Sequence, residues 1–155
     1  ADKYGWTKAT CIHTPMMSGL KGPGGRMESF DHKMSKSDPT NAILLDDTSE
    51  SIEKKIRKSF LEVGNPNSPV FEIAKYVVLP KLGSIAVTPN PKYGNPSEWD
   101  EIENFVKAVS DGTIHPLDAK IAVAEGLSEV LSEVSNVLSE KSNILDEMNK
   151  LIGQT

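Results

Sequence analysis

From Leu127 onward the apolar residues fall at positions 127, 131, 134, 138, 145, 148 and 152, alternately four and three apart, with Lys141 interrupting. Val130, Val137, Ile144 and Leu151 widen the stripe. Apolar residues alternating this way over more than three heptads predict a long helix that must lay one side against a partner. That partner is either the rest of its own bundle or a second copy. Pro116 suits the first turn of this helix, because its missing N–H would have had no intrahelical acceptor there.

Upstream, three shorter helices are expected. After Asp46 and Asp47, a helix starting at Thr48 or Ser49 carries Ile52, Ile56 and Phe60 on one face and Lys54, Lys55, Arg57 and Lys58 on the other. A second runs from Val70 to about Leu79, with Val70, Ile73, Ala74, Val77 and Val78 as its apolar face, and Pro80 closes or kinks it. Ser97 reads as an N-cap for a third, from Glu98 to about Val109, with Trp99, Ile102, Phe105, Val106 and Val109 inward. Ile85, Ala86, Val87 and Thr88 could form a short strand. The predicted class is mainly α.

One segment does not fit a helical bundle. Residues 7–13, including the single cysteine Cys11, are β-branched and apolar enough for a strand. A lone strand cannot hide its edges, so it requires a sheet supplied by other residues. Residues 14–32, with Gly-Pro-Gly-Gly at 22–25, read as a mobile loop. One cysteine permits no disulfide framework and no cysteine-based zinc site, which points to a reducing, cytoplasmic setting. No apolar run approaches the ~20 residues of a membrane span, and the first residues do not resemble a secretory signal. A net charge of −5 argues against loose binding to DNA or RNA but leaves room for a local basic patch. The cationic residues gather at Lys33, Lys36, Lys54, Lys55, Arg57 and Lys58, while acidic residues dominate segments 97–104 and 125–147.

The loop at Lys33, Met34, Ser35, Lys36 and Ser37 sets two lysines three apart among small hydroxyl side chains. A compact ammonium on a flexible stem suits a polyphosphate, and serine adds donors without bulk. A generic Lys-Ser-Lys-Ser stretch is equally a solvated turn. The neighbouring lysines at 54–58 are either a solvated helix face or phosphate contacts. His13, between a strand and a Thr-Pro turn, is by residue type a loop histidine. Asp118 lies in the first turn predicted for the last helix, where the macrodipole favours an acid. A carboxylate there can also accept from the N–H edge of a guanine. An unstacked base would want an aromatic platform, for which Tyr93 is a candidate.

The Lys33-Met34-Ser35-Lys36-Ser37 pentapeptide resembles the second signature of the class I aminoacyl-tRNA synthetases. His115-Pro116, Asp118 and Lys120 opening a helix, with Lys92-Tyr93-Gly94 before it, resemble the tyrosyl enzymes of the archaeal and eukaryotic type. Phe71 to Tyr76 and Ala122 to Glu125 are similar to helices of that group, so the likeness runs from about residue 9 to 131. It implies tyrosine–tRNA ligation, with ATP and Mg2+ as the substrate complex and tRNA(Tyr) and L-tyrosine as partners. Lys33 and Lys36 would be catalytic, acting on the departing pyrophosphate. His13, Met34, Ser35 and Ser37 would adjoin ATP. Asp118 would read the first anticodon base, Tyr93 would stack on it, and His115 and Pro116 would shape the pocket. No resident metal is implied.

The resemblance also predicts two parts. Residues 1–47 would be the C-terminal remnant of a Rossmann catalytic domain, and 48–155 a helical anticodon-binding domain with its long final helix. The first class I signature, a His-x-Gly-His turn, is absent, as are most of the parallel strands and the amino-acid pocket. These residues alone would therefore be inactive and would bind no ATP, with tyrosine held by the missing half. The intact enzyme would be a cytoplasmic homodimer, contacting neither DNA nor membrane. Three features depart from the tyrosyl pattern. Asp38 to Ile43 are similar to the tryptophanyl enzymes, the glycine-rich stretch at 22–32 is long, and the tail beyond 131 has no clear counterpart. A tryptophanyl enzyme and a stand-alone helical interaction module thus stand as alternatives.

Overall fold

A computed structural model of the chain describes residues 3, 5, 10–22, 33–89, 92, 94–140, 144, 147 and 150. Its spine is the long helix α5 (Pro116–Glu140). Helix α1 (Ser49–Lys58) lies along it, and α2 (Pro69–Ile73), a π-helical stretch (Ala74–Val78) and α3 (Leu79–Leu82) follow one another against the same helix. Strands β1 (Ile85–Val87) and β2 (Ser97–Trp99) form an antiparallel pair, with Ile85 opposite Trp99, and α4 (Ile102–Ser110) completes the body. Among the described residues the chain is mainly α, as expected.

The packing follows from small residues on α5. Ala119, Ala122, Val123 and Ala124 are buried, and a Cβ at Gly126 would lie 2.7 Å from Val78 Cγ1. Helices with small side chains at the contact approach closely. Phe71 and Phe105, both fully buried, meet edge to face with centroids 5.9 Å apart, the favoured geometry of two ring quadrupoles. The heptad stripe splits here. Leu127 and Leu131 are buried, whereas Val137 is 51% and Ile144 49% exposed. The stripe positions at 145, 148, 151 and 152 lie outside the described residues.

Four expectations need correction. Residues 10–13 are not a strand: they have no regular structure, Cys11 is exposed, and Ile12 is 88% exposed. Residues 7–9 lie outside the described residues. No partner strand lies beside 10–13 among the described residues, and an unpaired strand has nothing to hold it. Ser97 is not a helix cap; residues 97–99 pair with β1, and α4 starts three residues later, with Glu101 as its N-cap. A helical start at 98 would have left the β1 edge unpaired. Of the two readings of Pro80, closure is excluded: the helix runs on through Pro80 to Leu82. Widening the ladder to a π turn at 74–78 removes the need for a proline N–H, and Leu79 N–H closes onto Ala74 C=O. Gly83, at φ 84°, then supplies the left-handed stop and donates to Leu79 C=O. Finally, α1 buries Ile52 and Ile56 but ends at Lys58, so Phe60 lies beyond it, 38% exposed.

Candidate ATP loop and nucleic-acid interface

The lysine loop is rooted on residues 17–22. Ser18 and Lys33 form an antiparallel bridge, and Met34 N–H donates to Met17 C=O at 3.0 Å. Met17 and Met34 are half-buried and pack against the core. Methionine thereby pins a loop whose other members face water: Lys33, Lys36 and Ser37 are exposed and Ser35 partly so. Neither Lys33 nor Lys36 makes a hydrogen bond or ion pair among the described residues.

Asp38 shapes the return of the loop. Its Oδ1 accepts from the Thr40 N–H at 3.1 Å and hydroxyl at 2.6 Å, an Asx turn, and its Oδ2 meets Lys21 Nζ at 2.7 Å. The Lys21 ammonium, then the Thr40 hydroxyl, hold this carboxyl down at about 2. Asn41 continues the clamp. Its C=O and Oδ1 accept from Leu20 N–H and Lys21 N–H at 3.0 and 2.8 Å. Gly22, at φ 69°, permits a left-handed turn where a Cβ would come within 2.5 Å of the Phe60 ring. Two further bonds tie this root to the helical body: Ser18 N–H donates to Glu72 Oε2 at 2.8 Å, from loop to helix α2, and Phe60 N–H, just past α1, donates to Leu20 C=O at 2.7 Å.

Asp47 joins loop to helix α1. Its carboxylate takes Lys55 Nζ at 2.6 and 2.8 Å, Leu44 N–H at 2.7 Å and Ser51 Oγ at 2.8 Å. Burial pushes this carboxyl up, but the Leu44 amide, Lys55 and Ser51 together outweigh it and hold it below the usual range. Lys55 also donates to Ala42 C=O at 3.0 Å. Of the four cations expected on the outer face of α1, Lys55 is thus spent within the fold, and Arg57 pairs with Glu53 at 2.7 Å. Lys54 and Lys58 are exposed and have no partner among the described residues.

The start of α5 forms a second cluster. His115 acts as its cap, with Nδ1 accepting from Leu117 N–H at 3.1 Å and its C=O from Ala119 N–H at 3.1 Å. Pro116 follows at the first helical position, and Asp118 is half-exposed with no hydrogen bond or ion pair among the described residues. Asp118 is therefore free to accept from an incoming donor. Tyr93 lies outside the described residues. His13 is exposed, with no described contact to either cluster. Among the described residues, no hydrogen bond or ion pair joins the lysine loop to the Asp118 cluster.

Sequence reasoning missed the anchoring roles of Lys21, Glu72, Asn41 and Asp47, which hold the loop, and of Lys120, named only as part of the helix-opening motif, which holds α5. Lys120 Nζ donates to Ser59 C=O at 2.6 Å and Arg57 C=O at 3.2 Å, at the end of α1, where the helix dipole favours a cation. Burial pushes its ammonium down. Only the Asp-Pro-Thr spacing of the Asx turn carried a local signal. Among the described residues, no group of three or more His, Cys, Asp or Glu could hold a metal, and no helix is long and apolar enough to cross a membrane.

Residues 1–132 match the family of tRNA synthetases class I (W and Y). The tyrosine–tRNA ligase of Aeropyrum pernix is 39% identical, over 86% of this chain and 40% of that protein. That of Sulfurisphaera tokodaii is 38% identical, over 86% of this chain and 39% of that protein. The crystal structure of the Aeropyrum pernix tyrosyl-tRNA synthetase superposes with a TM-score of 0.80 at 32% identity, covering 99% of this chain and 42% of that one. That coverage takes in the described residues 132–140, part of the tail beyond 131 for which the sequence motifs offered no clear counterpart. The chain spans about 40% of the length of the curated relatives it matches.

Proposed function

Because the chain belongs to the class I tRNA synthetases of the tryptophan and tyrosine branch, we propose that it is the C-terminal part of a tyrosine–tRNA ligase. Residues 1–47 contribute the ATP loop of the catalytic domain, and residues 48–155 are the anticodon-binding domain. In the intact enzyme, ATP and L-tyrosine give tyrosyl-adenylate and pyrophosphate, and the tyrosyl group then passes to the 3′ end of tRNA(Tyr). ATP enters as its Mg2+ complex. As the bond to the β-phosphate breaks, negative charge grows on the leaving pyrophosphate, and Lys33 and Lys36 lie ready to meet it without first giving up an ion pair. Ser35, Ser37 and the Met34 backbone orient the loop, and His13 adjoins the nucleotide. The missing half holds tyrosine, so these residues alone neither aminoacylate nor retain ATP. The intact enzyme is a cytoplasmic homodimer.

The observation that carries the RNA half of this reading is Asp118. A carboxylate in the first turn of α5, flanked by the capping His115 and a fixed Pro116, makes no side-chain bond among the described residues and so offers two acceptor oxygens. Tyr93 provides the stacking face. Binding of tRNA(Tyr), with its first anticodon base intact or exchanged, tests it against Asp118→Ala. Loss of one base contact should weaken the correct tRNA by ~1–3 kcal/mol and flatten the base preference. Equal binding of both tRNAs by the unmutated chain would overturn the assignment, and preference for tryptophan tRNA would move it to the sister enzyme.

A further inference from the structure

A second cation cluster stands apart from Lys33 and Lys36. A cleft of about 440 Å³ runs between residues 20–21, Thr40 and helix α1, with Lys21, Lys54, Lys55 and Lys58 among its walls. Two of these charges are already neutralised: Lys21 by Asp38 at 2.7 Å and Lys55 by Asp47 at 2.6 Å. The Ser51 and Thr40 hydroxyls are likewise turned to those aspartates, at 2.8 and 2.6 Å. What the cleft leaves open is a pair of lysines, 54 and 58, one helical turn or about 6 Å apart on a rigid helix.

We propose that this cleft is a docking site for the RNA sugar–phosphate backbone, in which Lys54 and Lys58 each neutralise one phosphate. The proposal rests on the reading of the chain as a tRNA-binding part. A nucleotide step is of the same scale as a helical turn, so two successive phosphates can meet two lysines on one face. Each ammonium is a point charge that takes a phosphate without demanding a base, so the contact positions RNA and does not read it. The surrounding charge favours this orientation. The chain as a whole is at −5, with its acids concentrated in 97–104 and 125–147, so a polyanion is repelled elsewhere and drawn to this side. Lys33 and Lys36 sit on a loop rooted by Met34, whereas Lys54 and Lys58 sit mid-helix and late in α1. The first pair can follow a leaving group, and the second can hold a fixed backbone.

The test is the salt dependence of tRNA(Tyr) binding to the full chain, to Lys54→Ala/Lys58→Ala and to Lys107→Ala on α4. Alanine favours helix, so the double variant keeps α1. The slope of log K against log salt should fall by about 2 in the double variant, about 1 per lysine, with the anticodon-base preference unchanged. Lys107→Ala should leave the slope alone. An unchanged slope in the double variant, with base preference intact, would overturn the cleft and spare the anticodon reading. An equal fall in Lys107→Ala would reduce the effect to net charge and overturn the cleft as well. Inorganic pyrophosphate that displaces tRNA from the unmutated chain but not from the double variant would assign the cleft to a free nucleotide. A slope that falls by 2 in a chain without base preference would uphold the cleft while the Asp118 reading fell. If no tRNA or duplex RNA binds at all, both fall together.

Discussion

Residues 17–22 and 33–41, which carry and root the lysine loop, and the helical body beneath them are held by different forces. The body closes over Phe71, Phe105, Ile52, Ile56 and Val123, none more than 1% exposed. The loop has one apolar anchor in the core, Leu20, and is otherwise held by an Asx turn, one surface ion pair, two half-buried methionines, two bonds to Asn41 and one each to Glu72 and Phe60. Apolar burial resists opening as a unit, whereas polar bonds at the surface exchange with water one at a time. The loop is thus held mostly by the weaker kind of contact, around the single buried anchor Leu20, on a body closed by apolar packing.

The largest effect should come from the body. Phe105→Ala removes a fully buried ring from its edge-to-face partner and leaves a cavity, at a cost of about 3–5 kcal/mol in denaturant unfolding. The loop contacts made by Asp38 should survive wherever the variant is still folded. At the seam the effect should be intermediate. Asp47→Asn strips the partner from Lys55 in a site where the two side chains are only 10% and 17% exposed, and should cost roughly 1–3 kcal/mol. Its pH signature has a defined sign. The folded carboxyl lies below its unfolded value, so its stabilisation is full above about pH 4 and fades as pH falls through the folded value. The unmutated chain should therefore lose stability on acidification below about pH 4 more steeply than Asp47→Asn. Parallel acid curves would remove Asp47 as the tie between loop and body.

Smaller still should be Lys120→Met. It keeps the apolar stem but leaves the Arg57 and Ser59 carbonyls without their cation, at a cost of about 1–2 kcal/mol. A thermal melt reads it, and hydrogen exchange should find the loosening at the last turn of α1. If the variant is as stable as the parent, the ammonium adds nothing beyond what water supplies.

These residues also mark what could be read from sequence. Helix α1 was legible because its start is a local event: Thr48 Oγ1 accepts Ser51 N–H at 3.2 Å within one turn. The start of α5 at Pro116 was legible for the same reason. Residues 97–99 were misread because their state depends on β1, ten residues away, and apolar spacing around Trp99 suits either state. Pro80 left closure open as a reading because the π turn at 74–78, through which the helix continues, leaves no trace in the apolar pattern. The loop lysines stood out as a motif, but the residues that place them did not. Glu72 acts across 54 positions and Lys120 across 61, and such pairings exist only once the fold has brought them together. Lys55 illustrates the converse: it sits within a run of cations, yet tertiary structure turns it inward.

The finest test of the contrast between loop and body is Asp38. The Lys21 ammonium and the Thr40 hydroxyl hold its carboxyl at about 2, below an unfolded value of about 3.9. A depressed carboxyl contributes above the unfolded value and ceases to contribute as pH falls through about 2, so the Lys21 contact should release only near the acid extreme. Asp38→Asn separates the two jobs of the side chain. The amide oxygen can still accept from Thr40 and keep the Asx turn, while the ion pair with Lys21 is lost. Because that pair is exposed and screened by solvent, the thermal midpoint should stay where it is. Amide exchange at Lys21 and Asn41 should quicken at the same time, since their neighbours lose one restraint. A midpoint that falls as far as in Phe105→Ala would mean the opposite: the loop that carries Lys33 and Lys36 would then melt with the core as one cooperative unit.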